Sequence, residues 1–479
     1  MAVFSQNPDL KKIQGKLADC LNLTLDRESE EGRAGQLYNR LKNGKKILVI
    51  LDDIWDDKIT LKKIGIPANT DDNSMCCKIL LTSRRLEVCK KMGFQKTFQI
   101  GLLSVDEAWH LFKRTVGDFI EADPQIHSIA QQVCRECDHL PLAICAVGGA
   151  LNGLDDKHIW NDALEQLKNC QGYKIDGVEE KVYTCIEWSY KYLKQADAQS
   201  CFLHCSLFPE DSEIAIDLLV HFGVGTKFLG STDRASMKKA RNRTLVIVGI
   251  LKKSNLLLEG RDGNKVKMHD VVRDVAISIA SKDKDAFPVQ EGVDVWPDKD
   301  DYTCCKAISL RASCNVRRLP DRLECPELRT LVLGSSDASR LELQNSFFDG
   351  MKKLEVLVLN KVKLAPSSLS HLVGLRMLCL SDCELVNLFF IKELKNLEIL
   401  VIGYIHEFKE MVLEIRQLTC LRLLDLKEFN EDIGFPSGFL SCLSDLEELY
   451  ISKKYNGWKL EGNASIVEIN CLMGLMVFL

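Results

Sequence analysis

Apolar residues in the first hundred positions form short continuous runs that alternate with stretches of helical period. Residues 47–51 are an unbroken apolar run between two lysines and two aspartates, which predicts a strand covered on both faces of a parallel sheet. Residues 78–82 and 97–100 predict two further strands, and residues 9–23 and 105–116 predict helices. The fold class predicted for this part of the chain is therefore α/β.

The middle of the chain, from about residue 118 to 284, carries a mainly helical pattern. A charged segment that contains proline covers residues 281–301 and predicts a linker. Beyond it a different pattern begins, in which leucine recurs at fixed positions.

The last part of the chain repeats one short phrase, which reads LxxLxL or LxxLxI. Successive copies lie 26, 21, 22, 24 and 25 residues apart, inside the range of about 20 to 29 residues for leucine-rich repeats. A weaker copy, with Ile308 and Leu310 in two of its apolar positions, precedes them. The six clear copies begin at Leu328, Leu354, Leu375, Leu397, Leu421 and Leu446.

A single repeat is too small to be stable alone. Three inward-facing apolar side chains contribute at most about 9 kcal/mol, whereas each ordered residue costs at least about 1 kcal/mol. Stacking is therefore required, and it predicts a curved solenoid whose short parallel strands line the concave side. The alternative is a generic amphipathic helical region. Six copies in phase argue against it, because such a series is hard to obtain by chance.

The composition is that of an ordinary globular protein, with 46% apolar and 27% charged residues over 479 positions. The net charge of −5 gives no sequence-wide positive field, so we expect no nucleic-acid partner. The longest uncharged apolar run, residues 140–151, has 12 residues, too few for a transmembrane segment of about 20. The 20 cysteines are scattered, which favours buried thiols in a reducing, cytoplasmic location.

Charged side chains follow the two predicted strands at 47–51 and 78–82. Asp52 and Asp53 stand at the carboxyl end of the first strand, where open α/β sheets bind ligands and where paired acids suit Mg²⁺ and water activation. Arg84 follows the second strand on the same rim, where a guanidinium is suited to bind a terminal phosphate. The alternatives are a solvated strand end for the acids and pairing of Arg84 with Glu87. The hypothesis of a phosphate site therefore depends on the acids and the arginine occurring together at one rim.

Two cysteine-containing phrases resemble metal motifs only weakly. Cys134 and Cys137 form a CxxC with no second copy, and Cys201, His204 and Cys205 share the same weakness. We interpret the cysteines as buried helix thiols and the histidine as packed or surface-exposed.

Five phrases precede the repeats in a fixed order, and this series resembles the NB-ARC region of plant disease-resistance proteins of the nucleotide-binding leucine-rich-repeat (NLR) family. The phrases are ILVILDDIW at 47–55, ILLTSR at 79–84, CDHLPLA at 137–143, CFLHCSLFPE at 201–210 and MHD at 268–270. The resemblance covers essentially the whole chain. Trp55 and the CFLHCSLFPE phrase resemble the subclass with an N-terminal coiled coil.

The resemblance implies a multidomain fold. Its parts are a partial α/β P-loop NTPase-type parallel sheet, helical and winged-helix subdomains, and an α/β leucine-rich-repeat solenoid. The predicted boundaries are 1–117 for the nucleotide-binding domain, 118–195 for the helical subdomain, 196–284 for the winged helix, 285–300 for a linker and 301–479 for the repeats.

The resemblance also assigns a role to each candidate site residue. Asp52 would help to hold Mg²⁺, Asp53 would act as the catalytic acid beside the attacking water, and Arg84 would sense the terminal phosphate of ATP. Pro141 would pack near the adenine, and His269 would contact the β-phosphate of ADP. In the family, ADP holds a closed state and ATP favours an open, oligomerising state.

Two departures from the family pattern affect these expectations. His139 stands where the family phrase GLPLA has glycine, and no GxxxxGK[ST] occurs in the sequence. Without that loop there is neither a phosphate cradle nor its lysine. We therefore expect a truncated chain that lacks the first strand and the P-loop, binds nucleotide weakly and turns over no ATP.

The function implied is that of an intracellular plant immune receptor with an ADP/ATP switch. Its repeats would sense a pathogen effector or a guarded host protein, and self-association would follow. Whether the chain is an enzyme stays open, because it resembles a slow ATPase switch but lacks the P-loop. The alternative is a non-catalytic leucine-rich-repeat binding module or regulatory fragment without nucleotide switching.

Overall fold

The computed structural model describes most of the chain as two compact units, residues 1–101 and 102–479, and each unit is treated by itself. The described residues are 1–4, 9–42, 46–55, 59–67, 77–94, 96–169, 178–210, 212–229, 236–282, 289–293, 303–312, 319–335, 340–365, 368–385, 389–403, 413–428, 438–451 and 476–478. Among them, no helix combines the length and the hydropathy needed to cross a bilayer.

The first unit is a three-stranded parallel sheet with helices. In chain order its elements are β1 (Ala2–Val3), α1 (Leu10–Cys20), α2 (Glu30–Lys42), β2 (Ile47–Asp52), α3 (Leu61–Ile64), β3 (Cys77–Leu81) and α4 (Leu86–Lys91). The sheet order is β1-β2-β3, with β2 in the centre. Val49 and Leu51 of β2 pack with Leu17 and Leu37 of the helices in one apolar core. The strands predicted at 47–51 and 78–82 and the helix predicted at 9–23 are confirmed.

Two predictions for this unit are wrong. Leu48 of β2 is 58% exposed and Leu80 of β3 is 49% exposed, so the described residues cover the sheet on one face and not on both. Residues 97–100 form no strand, and Phe98 and Ile100 are 84% and 91% exposed. A strand needs a neighbour to satisfy its backbone groups, and the described residues provide none for this segment.

The second unit begins with five helices around a core of its own. They are α5 (Val105–Val116), α6 (Pro124–Arg135), α7 (Pro141–Ala150), α8 (Lys157–Asn169) and α9 (Glu180–Tyr192). Ser104 and Glu107 form a capping box that starts α5. The helix predicted at 105–116 is therefore confirmed. Phe112 of α5, Trp160 of α8 and Trp188 of α9 are buried together in this core.

Four further helices and a small antiparallel sheet follow. In chain order they are α10 (Ala196–Cys205), β4 (Glu213–Ala215), α11 (Ile216–Gly225), α12 (Met237–Lys253), β5 (Leu258–Glu259), β6 (Lys265–Lys267) and α13 (Asp270–Lys282). The sheet order is β4-β6-β5, and both pairings are antiparallel. This arrangement occupies the segment for which the resemblance predicts a winged helix.

The leucine repeats form a parallel solenoid. Its strands are β7 (Val289–Val293), β8 (Ala307–Ala312), β9 (Thr330–Ser335), β10 (Leu341–Leu343), β11 (Val356–Asn360), β12 (Val362–Leu364), β13 (Met377–Ser381), β14 (Glu384–Leu385), β15 (Ile399–Gly403), β16 (Leu423–Leu426), β17 (Glu448–Ile451) and β18 (Met476–Phe478). Nine of them pair side by side, and β10, β12 and β14 form a second small sheet.

The register of the nine-stranded sheet places equivalent residues of successive repeats side by side. Leu357 pairs with Leu331 on one side and with Leu378 on the other, and Leu378 pairs with Leu400. These leucines are fully buried in one continuous core, which confirms the predicted stacking. Strand β7 lies inside the predicted linker 285–300, whose other residues are outside the described part of the chain.

The opposite face of the same strands is apolar and covered by helices. Because side chains alternate along a strand, the residues next to the core leucines point the other way. Val356, Met377, Ile399 and Leu423 occupy these positions, and we call them the docking face. All four are fully buried in one apolar cluster with α10 to α13.

Truncation of a stacked leucine should destabilise the solenoid. Leu378→Ala leaves a cavity between two neighbouring repeats and should lower the free energy of unfolding by about 3 kcal/mol. Val373→Ala, at a position that is 59% exposed, should change it by less than about 0.5 kcal/mol. Urea denaturation followed by circular dichroism compares the two variants, and equal effects would contradict the stacked core.

The stability of the second unit should fall at acid pH. His221 of α11 is 5% exposed, and burial lowers its pKa to about 4. The unfolded chain binds this proton near pH 6.5 and the folded chain does not, so stability decreases as the pH falls between these values. From pH 7 to pH 5 we expect a loss of about 2 kcal/mol.

His221→Leu should remove its share of about 2 kcal/mol and leave only the loss that comes from His204, whose burial also lowers its pKa, whereas His371→Leu, at an exposed position, should retain both. Urea midpoints measured at pH 7 and pH 5 test whether the free energy of unfolding falls with the pH, as predicted. A loss of the same size in the His221→Leu variant would assign the pH dependence to other groups.

Candidate phosphate and metal site

The candidate site in the first unit is built on the ends of two neighbouring parallel strands. Leu51 of β2 pairs with Leu81 of β3, so the residues that follow them leave the sheet at the same edge. The backbones stay paired beyond the strands, because Thr82 donates its amide to Leu51 and Ile54 donates its amide to Thr82, both at 3.0 Å. Asp52, Asp53 and Arg84 are therefore brought together, as predicted.

Thr82 connects the two aspartates. Its hydroxyl donates to Oδ1 of Asp52 at 2.6 Å and accepts from the amide of Asp53 at 2.8 Å. Asp53 has φ of 54°, a left-handed conformation that costs energy in a residue with a side chain. The threonine hydroxyl thus stabilises the turn that directs the second aspartate away from the strand.

The second aspartate is held by an arginine and a tryptophan. Oδ1 of Asp53 lies 3.3 Å from Nε of Arg84, and Oδ2 accepts from Nε1 of Trp55 at 3.0 Å. The guanidinium carbon of Arg84 lies 4.5 Å from the centroid of the Trp55 ring, which adds a cation–π attraction. The side chains of Arg84 and Asp53 are 30% and 24% exposed, so this ion pair contributes at most about 1 kcal/mol.

These contacts leave different chemistry available at the two acids. Oδ1 of Asp52 is engaged by Thr82, and the described residues give Oδ2 no hydrogen bond. A hard carboxylate oxygen of this kind suits Mg²⁺. Arg84 can offer its fork of N–H donors to a phosphate, but only in competition with Asp53. Asp56 and Asp57, the next acids along the chain, lie outside the described residues.

Pro141 belongs to the second unit, where it is the exposed first residue of α7. The chain reaches it through Asp138 and His139, whose φ angles are 49° and 60°. The carbonyl of His139 accepts from the amide of Leu103 at 3.2 Å. Glycine adopts such angles without strain, and histidine tolerates them better than most side chains. The departure at His139 therefore preserves the turn.

His269 also belongs to the second unit and stands at the start of α13. Its carbonyl accepts from the amide of Arg273 at 2.9 Å. Its Nδ1 lies 2.5 Å from Oδ1 of Asp270 and 3.2 Å from the amide nitrogen of Val271. We assign Nδ1 as a donor to the carboxylate, because the shorter contact joins a donor to a charged acceptor. The side chain is 44% exposed, and this contact fixes the orientation of its ring.

The cysteine phrases are structural. Cys134 and Cys137 are buried on and just after α6, and burial raises the pKa of the Cys134 thiol to about 11. His204 is buried, its Nδ1 donates to the carbonyl of Ser200 at 2.7 Å, and burial lowers its pKa. The described residues contain no group of three or more histidine, cysteine, aspartate or glutamate side chains that would hold a metal ion. The interpretation as buried thiols and a packed histidine is confirmed.

Comparison with known proteins shows which family the chain resembles. The sequence model of the NB-ARC domain matches residues 2–119. Two disease resistance proteins of Arabidopsis thaliana, At4g27190 and UNI, align with 99% of this chain. Their sequence identities to it are 33% and 32%. Nearly the whole chain is therefore similar to plant disease-resistance proteins of the NLR type.

The NLR relatives are longer than this chain, which spans 49% of At4g27190 and 54% of UNI. It spans 62% of the probable disease resistance protein At1g61300, also of Arabidopsis thaliana, with 33% identity over the full chain. A solved leucine-rich-repeat protein of Leptospira interrogans overlaps 42% of the chain and 56% of its own length, at 18% identity and a TM-score of 0.31. The NB-ARC match includes Asp52, Asp53 and Arg84 and ends before Pro141 and His269.

Sequence reasoning missed the part of this candidate site that organises the charges. Thr82 and Trp55 were visible in the strand-end phrases, but they were not predicted as site residues. A hydroxyl directly after β3, opposite two acids at the carboxyl end of β2, is the signal that could have identified Thr82.

Loss of the Thr82 hydroxyl should loosen the strand-end turn. Thr82→Val keeps the shape of the side chain but removes the bonds to Asp52 and Asp53, so the first unit should lose about 1 kcal/mol of stability. Thr82→Ser keeps the hydroxyl and should lose much less. Hydrogen exchange at the amide of Asp53 reports the effect, and equal protection in both variants would refute the role of this hydroxyl.

Proposed function

We propose that this protein acts as an immune receptor with an ADP/ATP-dependent switch. The observation that supports this function best is the convergence of Asp52, Asp53 and Arg84 at one sheet edge. Two acids and an arginine at the carboxyl ends of parallel strands suit a magnesium-bound phosphate. The family match includes the same residues.

Each charged residue at the rim has a separate task in this proposal. Asp52 would hold Mg²⁺ through the oxygen that Thr82 leaves available, and Asp53 would orient a water beside a bound phosphate. Arg84 detects a terminal phosphate by exchanging Asp53 for the phosphate oxygens. Mg²⁺, when bound there, would supply positive charge that neutralises phosphate. Because the ion pair of Arg84 is weak, a dianionic phosphate competes with Asp53 successfully.

The second unit supplies the other proposed contacts. Pro141 packs near the adenine and His269 contacts the β-phosphate of ADP, on the parts that we propose as helical and winged-helix subdomains. The antiparallel β4-β6-β5 sheet flanked by helices supports the winged-helix assignment. The ring orientation that Asp270 imposes on His269 supports its role.

The repeats are the proposed sensor. Their stacked architecture suits protein–protein contact, and we propose a pathogen effector or a guarded host protein as the partner, in the cytoplasm. Self-association would follow activation. The relatives named as disease resistance proteins support this assignment.

The alternative is a binding module that does not switch on nucleotide. It is favoured by one observation: residues 1–479 contain no GxxxxGK[ST]. Expression of the whole chain in leaf tissue discriminates the two, with defence-gene transcripts as the readout. The switch proposal expects Asp52→Asn and Arg84→Gln to change that output, and the module proposal expects no change.

We predict that residues 1–479 bind ADP and ATP weakly, with dissociation constants above about 100 μM. Most of the phosphate affinity of such sites comes from the glycine-rich loop and its lysine. Isothermal titration calorimetry with Mg²⁺ measures it, and Asp52→Asn should weaken it further. Glu28→Gln, an exposed residue of the same unit, is the matched control. Micromolar affinity for ADP would contradict this prediction.

A further inference from the structure

The second residue of each repeat alternates in charge along the solenoid. These residues, which we call the charge ladder, are Arg329, Glu355, Arg376, Glu398, Arg422 and Glu447. Parallel register brings them into one column beside the strands. Arg329 pairs with Glu355, and the four residues from Arg376 to Glu447 form a second, continuous run of ion pairs. Glu398 lies 2.6 Å from Arg376 and 3.2 Å from Arg422, whose guanidinium lies 2.7 Å from Glu447.

Two rungs of the ladder also reach the helices on the docking face. Nη1 of Arg376 donates to the carbonyl of Gly225, the last residue of α11, at 3.2 Å. Oε2 of Glu447 accepts from the amide of Met237, the first residue of α12, at 2.7 Å. A helix carries partial negative charge at its C-terminus and partial positive charge at its N-terminus. Each rung therefore has the sign that its helix end requires.

The C-terminal end of α11 packs so closely against the docking face that it fits in only one place. A Cβ added to Gly225 would lie 2.5 Å from Cγ2 of Val356 and 3.0 Å from Cβ of Met377. Both neighbours belong to the docking face, and a branched valine cannot easily give way. The helix end is thus fixed in register against two particular strands.

Polar groups reinforce this position near the last repeats. Arg241 of α12 donates to Oε2 of Glu448 at 2.8 Å and to the hydroxyl of Tyr450 at 2.7 Å, and it also pairs with Asp217 of α11. Glu448 is fully buried, at a position that is apolar in the docking face of the four preceding strands. A buried carboxylate needs a charged partner, which only the docked helix supplies among the described residues.

We propose that the charge ladder holds α11 and α12 on the docking face and selects their register, by capping the two helix ends with charges of opposite sign. Apolar burial supplies attraction without direction, whereas the ladder defines which helix end meets which repeat. A partner that uses the docking face must first break these two caps. The inference is independent of nucleotide binding and extends beyond the function proposed above.

The decisive variant inverts every rung of the whole chain. Its substitutions are Arg329→Glu, Glu355→Arg, Arg376→Glu, Glu398→Arg, Arg422→Glu and Glu447→Arg. Each rung keeps a neighbour of opposite charge, but both helix ends now face a charge of the wrong sign. We expect hydrogen exchange at the last turn of α11 and the first turn of α12 to accelerate about tenfold or more, with increased fluorescence of the apolar dye ANS.

The strands provide the internal control in the same experiment. Amides of β11, β13 and β15 should stay protected, because the ion pairs between rungs survive the inversion. The exposed pair Glu327 and Lys353, 2.7 Å apart, offers a matched swap, Glu327→Lys with Lys353→Glu, which should change neither helix. Unchanged exchange at both helix ends, with protected strands, would overturn the proposal.

Single substitutions keep the proposal testable if the inverted chain misfolds. Glu447→Lys should accelerate exchange at the first turn of α12 about tenfold, and Glu447→Gln, which retains an acceptor, by about threefold. Gly225→Val, which forces α11 away from the docking face, shows the exchange pattern of released helices. If Gly225→Val produces that pattern and Glu447→Lys does not, the ladder is not what holds the helices.

Discussion

Parallel, in-register strand pairing is the constraint on which the rest of this structure depends. In the first unit it carries Asp52 and Asp53 to the same edge as Thr82 and Arg84. In the second unit it converts a sequence repeat into columns of equivalent side chains. One column buries leucines, the next packs against helices, and a third alternates arginine with glutamate. A shift of one residue in register would mix all three columns.

The sequence predicted the features that depend on local pattern. The phased leucines specify the solenoid because the buried positions recur at almost constant spacing, and the rim at β2 and β3 follows from charges directly after apolar strands. The strand predicted at residues 97–100 and the covered face of β2 were wrong for a shared reason. Both depend on what lies beside the segment, and a pattern within the segment does not contain that information. Leu48 and Phe98 belong to the predicted strands but are exposed, because the described residues place no covering element beside them.

The candidate site and the charge ladder were predictable to different degrees. Asp52, Asp53 and Arg84 were identified from type and position, but the ion pair that joins Arg84 to Asp53 required the turn fixed by Thr82. The alternation of the ladder is readable in the six repeat phrases. Its structural role cannot be read from the sequence, because the caps on Gly225 and Met237 join residues 151 and 210 positions apart. In both places a charge is matched to a backbone or acid group that only the fold positions.

The central functional claim is that the edge formed by Asp52, Asp53 and Arg84 holds a magnesium-bound phosphate. Manganese in place of magnesium reports this directly, since its unpaired electrons broaden the NMR signals of nearby amides even when binding is weak. With Mn²⁺ and ATP added to the whole chain, signals from Asp52, Asp53 and Thr82 should broaden selectively, and Asp52→Asn should abolish the effect. Broadening that spares this edge, or that persists in Asp52→Asn, would contradict the account.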